Sequence, residues 1–133
     1  MTYAFLKKLS TGSGRSNKYG NRKVEYDGLW FDSGAERDRY IALLALQNTG
    51  QISCLRTQVR IPLSVNEVKV CSYVADFTYY SMGLERVVME DYKGFRTPVF
   101  NLKARLFKAI TGEDIILQDG LPATKRRLRK KKR

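Results

Sequence analysis

One stretch constrains this chain more than any other. From Val68 to Tyr80 the residues VKVCSYVADFTYY place apolar and aromatic side chains on both alternating faces, and the acid that interrupts them is Asp76. Side chains of a strand alternate between its two faces, so such a run is stable where both are covered, as in a central strand between helices. The rest of the chain must then supply neighbouring strands and helices to pack on them.

The flanking segments read as those neighbours. From Thr57 onward Val59, Ile61, Leu63 and Val65 alternate with Arg56, Gln58 and Arg60 on the other face, a half-buried strand that turns at Asn66-Glu67. Ser81-Met82-Gly83 turns into a third strand over 87–93, and 115–117 makes a last short one. Ser33 followed by Glu36 fits a capping box, and Tyr40, Ile41, Leu43, Leu44 and Leu46 recur at helical spacing, which predicts a helix over 34–48. Thr97 caps a second helix with Pro98 at its first position, running through Leu102, Leu106 and Ile110 to a stop at Gly112. Upstream, KVEYDGLWFD is two β-prone runs joined by Asp27-Gly28, a strong hairpin signal. The predicted fold is α/β of the α+β kind: a hairpin, then α-β-β-β-α-β, with a mixed central sheet flanked by helices. One domain over 23–120 is expected, between a flexible basic arm over 1–22 and a disordered tail over 121–133.

Composition narrows the chemistry. Among 133 residues there is no histidine, which excludes Ser-His-Asp and Cys-His hydrolysis, histidine-ligated zinc and HNH-type cleavage. Catalysis must use carboxylates, lysine, hydroxyls or metal. Cys54 and Cys71 form no CxxC and suggest small buried hydrophobes. No apolar run reaches the length of a membrane span or a signal segment, so a cytoplasmic protein is expected.

The net charge of +12 is concentrated: residues 125–133, KRRLRKKKR, hold eight bases and no acid. Lys125, Arg126, Arg127, Arg129 and Lys130 belong to this run. It repels itself and suits a polyanion, whose counterions it would release. A second basic arm, with Lys7, Lys8, Arg15, Lys18, Arg22 and Lys23, favours nucleic acid over a role in solubility alone. Neither arm has the apolar face that a membrane surface needs.

Two acids in the strands carry the chemistry. Asp76 in a buried strand is costly unless it is paired, hydrogen-bonded or holding a metal. In Val-Val-Met-Glu-Asp-Tyr-Lys-Gly, Asp91 and Lys93 project from one face roughly 6–7 Å apart, with Glu90 and Tyr92 on the other. If these strands pair through the turn at 81–84, Asp76 comes beside Asp91 near one end of the sheet. Two carboxylates so placed suit Mg²⁺ or Mn²⁺, which can activate water and neutralise charge on a phosphate. Lys93 can orient that water or stabilise the transition state, and Glu36 can turn inward as a further ligand. Each has a plainer alternative. Glu36 can be the return half of the capping box, Asp91 and Lys93 a structural ion pair, and Asp76 an acceptor for backbone amides. Gln58 can bond the site or DNA, or lie on a solvated strand face. Arg96, Lys103 and Arg105 can line a phosphate track or form an ordinary charged helix face.

Ser33-Gly-Ala-Glu36-Arg37, Val74-Ala75-Asp76-Phe77 and Glu90-Asp91-Tyr92-Lys93-Gly94 together resemble the core of the PD-(D/E)xK nuclease superfamily. More narrowly, residues 18–118 resemble small phage-encoded nucleases related to Holliday junction resolvases, through Tyr26 to Ser33, Leu55 to Gln58, and Arg96-Thr97-Pro98-Val99-Phe100. The resemblance implies a restriction-endonuclease-like core, a metal held by Asp76, Asp91 and the Tyr92 carbonyl, and assistance from Glu36 directly or through water. It implies Lys93 as the catalytic lysine, DNA cleavage with Mg²⁺, a preference for branched DNA, and a homodimer. Ala75 replaces the usual proline. The hairpin with Trp30 and Phe31 and the aromatics Tyr73, Phe77, Tyr79 and Tyr80 are candidate dimer surfaces. The alternatives are a nuclease acting on linear duplex or single strands, and a non-catalytic basic nucleic-acid-binding protein.

Overall fold

The computed structural model describes residues 22–92, 96–117 and 122–124. Lys93, Lys125, Arg126, Arg127, Arg129, Lys130 and the arm up to Asn21 lie outside these residues.

The hairpin comes first. Strands β1 (Val24–Tyr26) and β2 (Leu29–Phe31) pair antiparallel. Asp27 and Gly28 between them both take positive φ, 51° and 76°, the backbone whose twist matches the flanking strands. Helix α1 (Gly34–Asn48) starts at Ser33, whose Oγ accepts from the Glu36 N–H at 3.2 Å. The long strands β3 (Ile52–Val65) and β4 (Val68–Ser81) pair antiparallel about Asn66 and Glu67, again both at positive φ. Strand β5 (Arg86–Asp91) runs antiparallel to β4. Helix α2 (Pro98–Thr111) is capped by Thr97 and stopped by Gly112 at φ 76°, and β6 (Ile116–Leu117) then pairs parallel with β5. The fold is therefore α+β, with a mixed sheet in the order β3-β4-β5-β6 behind a hairpin.

Strand β5 divides two cores. Val87 and Met89 pack with Phe100, Ala104 and Phe107 of α2, whereas Val88 packs with Tyr40 and Leu43 of α1. Alternation puts these residues on opposite faces, so a helix covers each side of the sheet. Phe31 of β2 meets Tyr40 at a ring separation of 5.1 Å and extends the α1-side core.

Several expectations change. Strand β3 begins at Ile52 rather than Thr57: the register shifts between Ser53 and Arg56, with Cys54 at φ 54°, and such a bulge hides the start of a strand from any reading by alternation. Strand β5 ends at Asp91 rather than 93. Strand β4 is not covered throughout, and β5 pairs with it only over Phe77 to Ser81. In its first half Val68 is 66% and Val70 59% exposed; one face there rests on α2 and the other meets solvent. Of the aromatics considered for association, Phe31, Tyr73, Phe77 and Tyr79 are core, Tyr80 is half-buried and Trp30 is exposed. Residues 122–124, expected in the tail, are folded onto the domain: the Ala123 N–H donates to the Ile115 carbonyl at 2.8 Å, and Ala123 is buried. Cys54 and Cys71 are half-buried, free and packed against the α2-side core. No helix among the described residues is long and apolar enough to cross a membrane.

Phe77 is fully buried and stacks with Tyr40 at 6.4 Å. Phe77→Ala is expected to cost about 3–5 kcal/mol, whereas Trp30→Ala stays within about 0.5 kcal/mol. Urea denaturation of the two variants against the parent measures both.

Candidate active site

The site lies where the sheet stops being regular. Along β4, Tyr73 and Ala75 belong to the α2-side core, but Phe77 and Tyr79 belong to the α1-side core. Strict alternation would keep all four on one face. The change of phase falls at Asp76, which lies across from Gln58, between the pairs Thr57↔Phe77 and Val59↔Ala75. Gln58 has φ 51°, a left-handed backbone that is uncommon for a non-glycine residue inside a strand. The left-handed residue thus lies across from Asp76, which is half-buried at the boundary between the cores.

The second irregularity is a fork. The β4–β5 ladder runs from Ser81↔Arg86 to Phe77↔Glu90 and stops, so Asp76 and Asp91 are the first residues past its last pair. Strand β5 continues beside β6, where Asp91 pairs with Leu117. At the fork the Tyr92 N–H donates to Asp76 Oδ2 at 2.7 Å, so a carboxylate takes a backbone donor that an unbroken ladder would have used.

The other oxygen, Asp76 Oδ1, accepts from Gln58 Nε2 at 3.2 Å, and the same nitrogen donates to Glu36 Oε1 at 3.1 Å. Glu36 is 4% exposed in the first turn of α1. It serves twice: its N–H is capped by Ser33, and its carboxylate reaches across to β3. Asp91 is fully buried and accepts from the Tyr73 hydroxyl at 2.7 Å. Glu90 turns to the opposite face, where Arg39 grips it through Nε at 2.5 Å and Nη2 at 2.9 Å, and the Tyr79 hydroxyl donates at 2.8 Å. The structure thus brings Glu36, Gln58, Asp76, Asp91 and Tyr92 to the fork where the β4–β5 ladder ends, midway along β3 and β4 rather than near one end of the sheet as expected, and assigns Glu90 to a separate ion pair.

Electrostatics agree with this geometry. The Tyr73 phenol is pushed well above its usual range by burial and by the charges of Asp91 and then Asp76, so both carboxylates act on one buried hydroxyl. Burial and the Glu90 carboxylate raise Tyr79, and the hydrogen bond to Glu90 raises Arg39.

The donor set is entirely oxygen, which suits a hard divalent cation. Among the described residues, however, no three acids gather at metal-ligand spacing: the Gln58 amide stands between Glu36 and Asp76. The fit is to the pair Asp76 and Asp91 at the fork, with Glu36 set back behind the amide. Of the basic residues considered for DNA, Arg96 bonds the Ala123 carbonyl and Lys103 Nζ bonds the Ser72 carbonyl at 2.7 Å, so both hold the fold together. Arg105 is exposed on α2.

Sequence singled out Tyr73 only as a candidate dimer surface, and Arg39 not at all. The signal for Tyr73 is a requirement: a buried carboxylate must have a donor, and tyrosine supplies one from an otherwise apolar core. Nothing local marks Arg39 as the partner of an acid two elements away.

The profile of a family described as protein of unknown function, DUF1064, matches residues 16–118, most of the chain and all of the helices and strands among the described residues. The chain belongs to that family. Comparison with curated proteins and with solved structures gives no match. In this DUF1064 member the matched span includes Glu36, Gln58, Asp76, Asp91, Tyr92 and Lys93, and the basic run 125–133 lies beyond it.

Tyr73 and Tyr79 titrate above the value near 10 that they take when unfolded. Their neutral forms stabilise the fold fully below that pH, and the contribution is lost as pH rises from about 10 through the folded values, because the unfolded chain ionises first. Stability of this DUF1064 protein is expected to fall above about pH 10, less steeply in Tyr79→Phe. Urea denaturation across that range, with tyrosinate absorbance followed in parallel, checks the sign.

Proposed function

We propose that this protein is a Mg²⁺-dependent endodeoxyribonuclease of the PD-(D/E)xK kind, with Mn²⁺ able to substitute. The observation that carries the reading is the meeting of Asp76 and Asp91 at the fork, with Lys93 two residues farther along the chain. The charges of both carboxylates reach one buried phenol, and a cation beside two acids so placed would relieve their mutual repulsion.

Asp76, Asp91 and the Tyr92 carbonyl would hold the ion, which would supply positive charge at the scissile phosphate. Lys93 orients the attacking water and stabilises the charge that develops on the phosphate oxygens. Tyr73 keeps Asp91 in one orientation, and no imidazole base is called for in a chain without histidine. The run 125–133, with Lys125, Arg126, Arg127, Arg129 and Lys130, holds DNA through its phosphates, and exposed Arg105 adds to that attraction. Branched DNA is the proposed substrate, a homodimer the proposed assembly, and the cytoplasm, that of the host if the gene is phage-borne, the proposed compartment.

The test uses labelled four-way junction, flap, duplex and single-stranded DNA, each with Mg²⁺ or EDTA. Cleavage is expected to require metal and to be fastest on the junction. Asp91→Asn and Lys93→Ala should each lower the rate at least ~100-fold while DNA binding survives. Cleavage persisting in both variants would overturn the assignment, and binding without cleavage in any metal would favour a non-catalytic binding protein.

Deleting 125–133 is expected to weaken binding to every DNA form to a similar extent and to flatten the logarithmic salt dependence by ~0.9 for each phosphate that is no longer neutralised. Loss of junction preference alone, with the salt slope unchanged, would contradict that role.

A further inference from the structure

We propose that Glu36 and Gln58 are positioning residues of the fork, with Glu36 acting on Asp76 through the Gln58 amide rather than as a ligand of the ion. The inference rests on the reading of the fork as a divalent-cation site.

A glutamine amide carries two N–H donors on one nitrogen. Gln58 Nε2 lies 3.1 Å from Glu36 Oε1 and 3.2 Å from Asp76 Oδ1. Both are carboxylate oxygens, which accept and cannot donate when ionised, so the amide can present only its nitrogen to them. The two carboxylates together therefore fix which way the amide faces and where it lies. Without Glu36, one N–H loses its acceptor and the amide is no longer held between two anchors.

The consequence falls on Asp76. Its Oδ1 is held by Gln58 and its Oδ2 by the Tyr92 N–H at 2.7 Å, which fixes the plane of the carboxylate. Hydrogen bonds of this kind to ligating carboxylates set their orientation and basicity. Glu36, 4% exposed, is separated from Asp76 by the amide itself, which agrees with the lack of any three-acid cluster among the described residues. The backbone of Gln58 at φ 51° would suit glycine, so what the glutamine adds at this position is its side chain.

The test measures Mn²⁺ binding to the full chain without DNA, by calorimetry and by the electron paramagnetic resonance of the free ion. Gln58→Gly removes the amide at a position where glycine is compatible with the backbone, and it is expected to weaken Mn²⁺ binding about 10–100-fold. Glu36→Ala should weaken it similarly, and the double variant should be no worse than Gln58→Gly alone, because both act through one group. Glu36→Gln retains an acceptor for the amide and should keep most of the affinity. Denaturation midpoints confirm that each variant is folded, and Glu36→Gln, the mildest change, carries the test should Gln58→Gly not fold. Losses that add, an unchanged affinity in Gln58→Gly, or a Glu36→Gln defect as large as that of Asp76→Asn would each overturn the proposal while leaving the metal site intact. A parent protein that takes up no Mn²⁺ and cleaves no DNA would instead remove the site reading, and this inference with it.

Discussion

A carboxylate set midway along the longest strand pair is the constraint around which this structure is arranged. Burying part of the Asp76 charge costs several kcal/mol unless its oxygens are satisfied. The fold meets that need with donors from two directions, the Gln58 amide across the ladder and the Tyr92 N–H across the fork. Both donors depend on irregular backbone. Gln58 must leave the extended conformation, and β5 must part from β4 at the right residue. A fully regular sheet would have hidden Asp76 in one core and given its donors to backbone carbonyls.

Adjacent acids in β5 show how alternation sorts chemistry. Glu90 and Asp91 follow one another in the chain, yet each faces a different core and is held by a different tyrosine. Glu90 also takes a bidentate grip from Arg39, which ties α1 to β5 and so holds the helix that carries Glu36. Glu90 is buried and Arg39 only partly exposed, so removing either partner would leave the other uncompensated. The ion pair on one face thus ties the helix that carries Glu36 to the sheet.

Much of the fold was legible because local signals agreed. Ser33, Thr97 and Gly112 marked helix ends by capping, and Asp27-Gly28 and Asn66-Glu67 marked hairpins through the conformations those residues tolerate. The closeness of Asp76 and Asp91 was also legible, since it follows from a short turn and a two-residue period. Illegible were features that depend on contacts distant in sequence. Nothing in Leu55-Arg-Thr-Gln58 announces a left-handed glutamine, and no period reveals that β5 abandons β4 halfway, which is why Val68 and Val70 read as buried yet meet solvent. Glu36 was open between the return half of a capping box and the site because its local pattern fits both; in the folded chain its N–H donates to Ser33 and its carboxylate accepts from the Gln58 amide.

The return of the chain over 122–124 has a consequence for the basic run that follows it. Ala123 is anchored to Ile115 and held by Arg96, and Ile115 directly precedes β6, the strand that pairs with Asp91. Thr124, the last described residue before the run, therefore leaves from a fixed point on the sheet. On the function proposed above, the run would work as a local concentrator close to that point, and lengthening the chain between Thr124 and Lys125 would dilute its influence even with every positive charge retained.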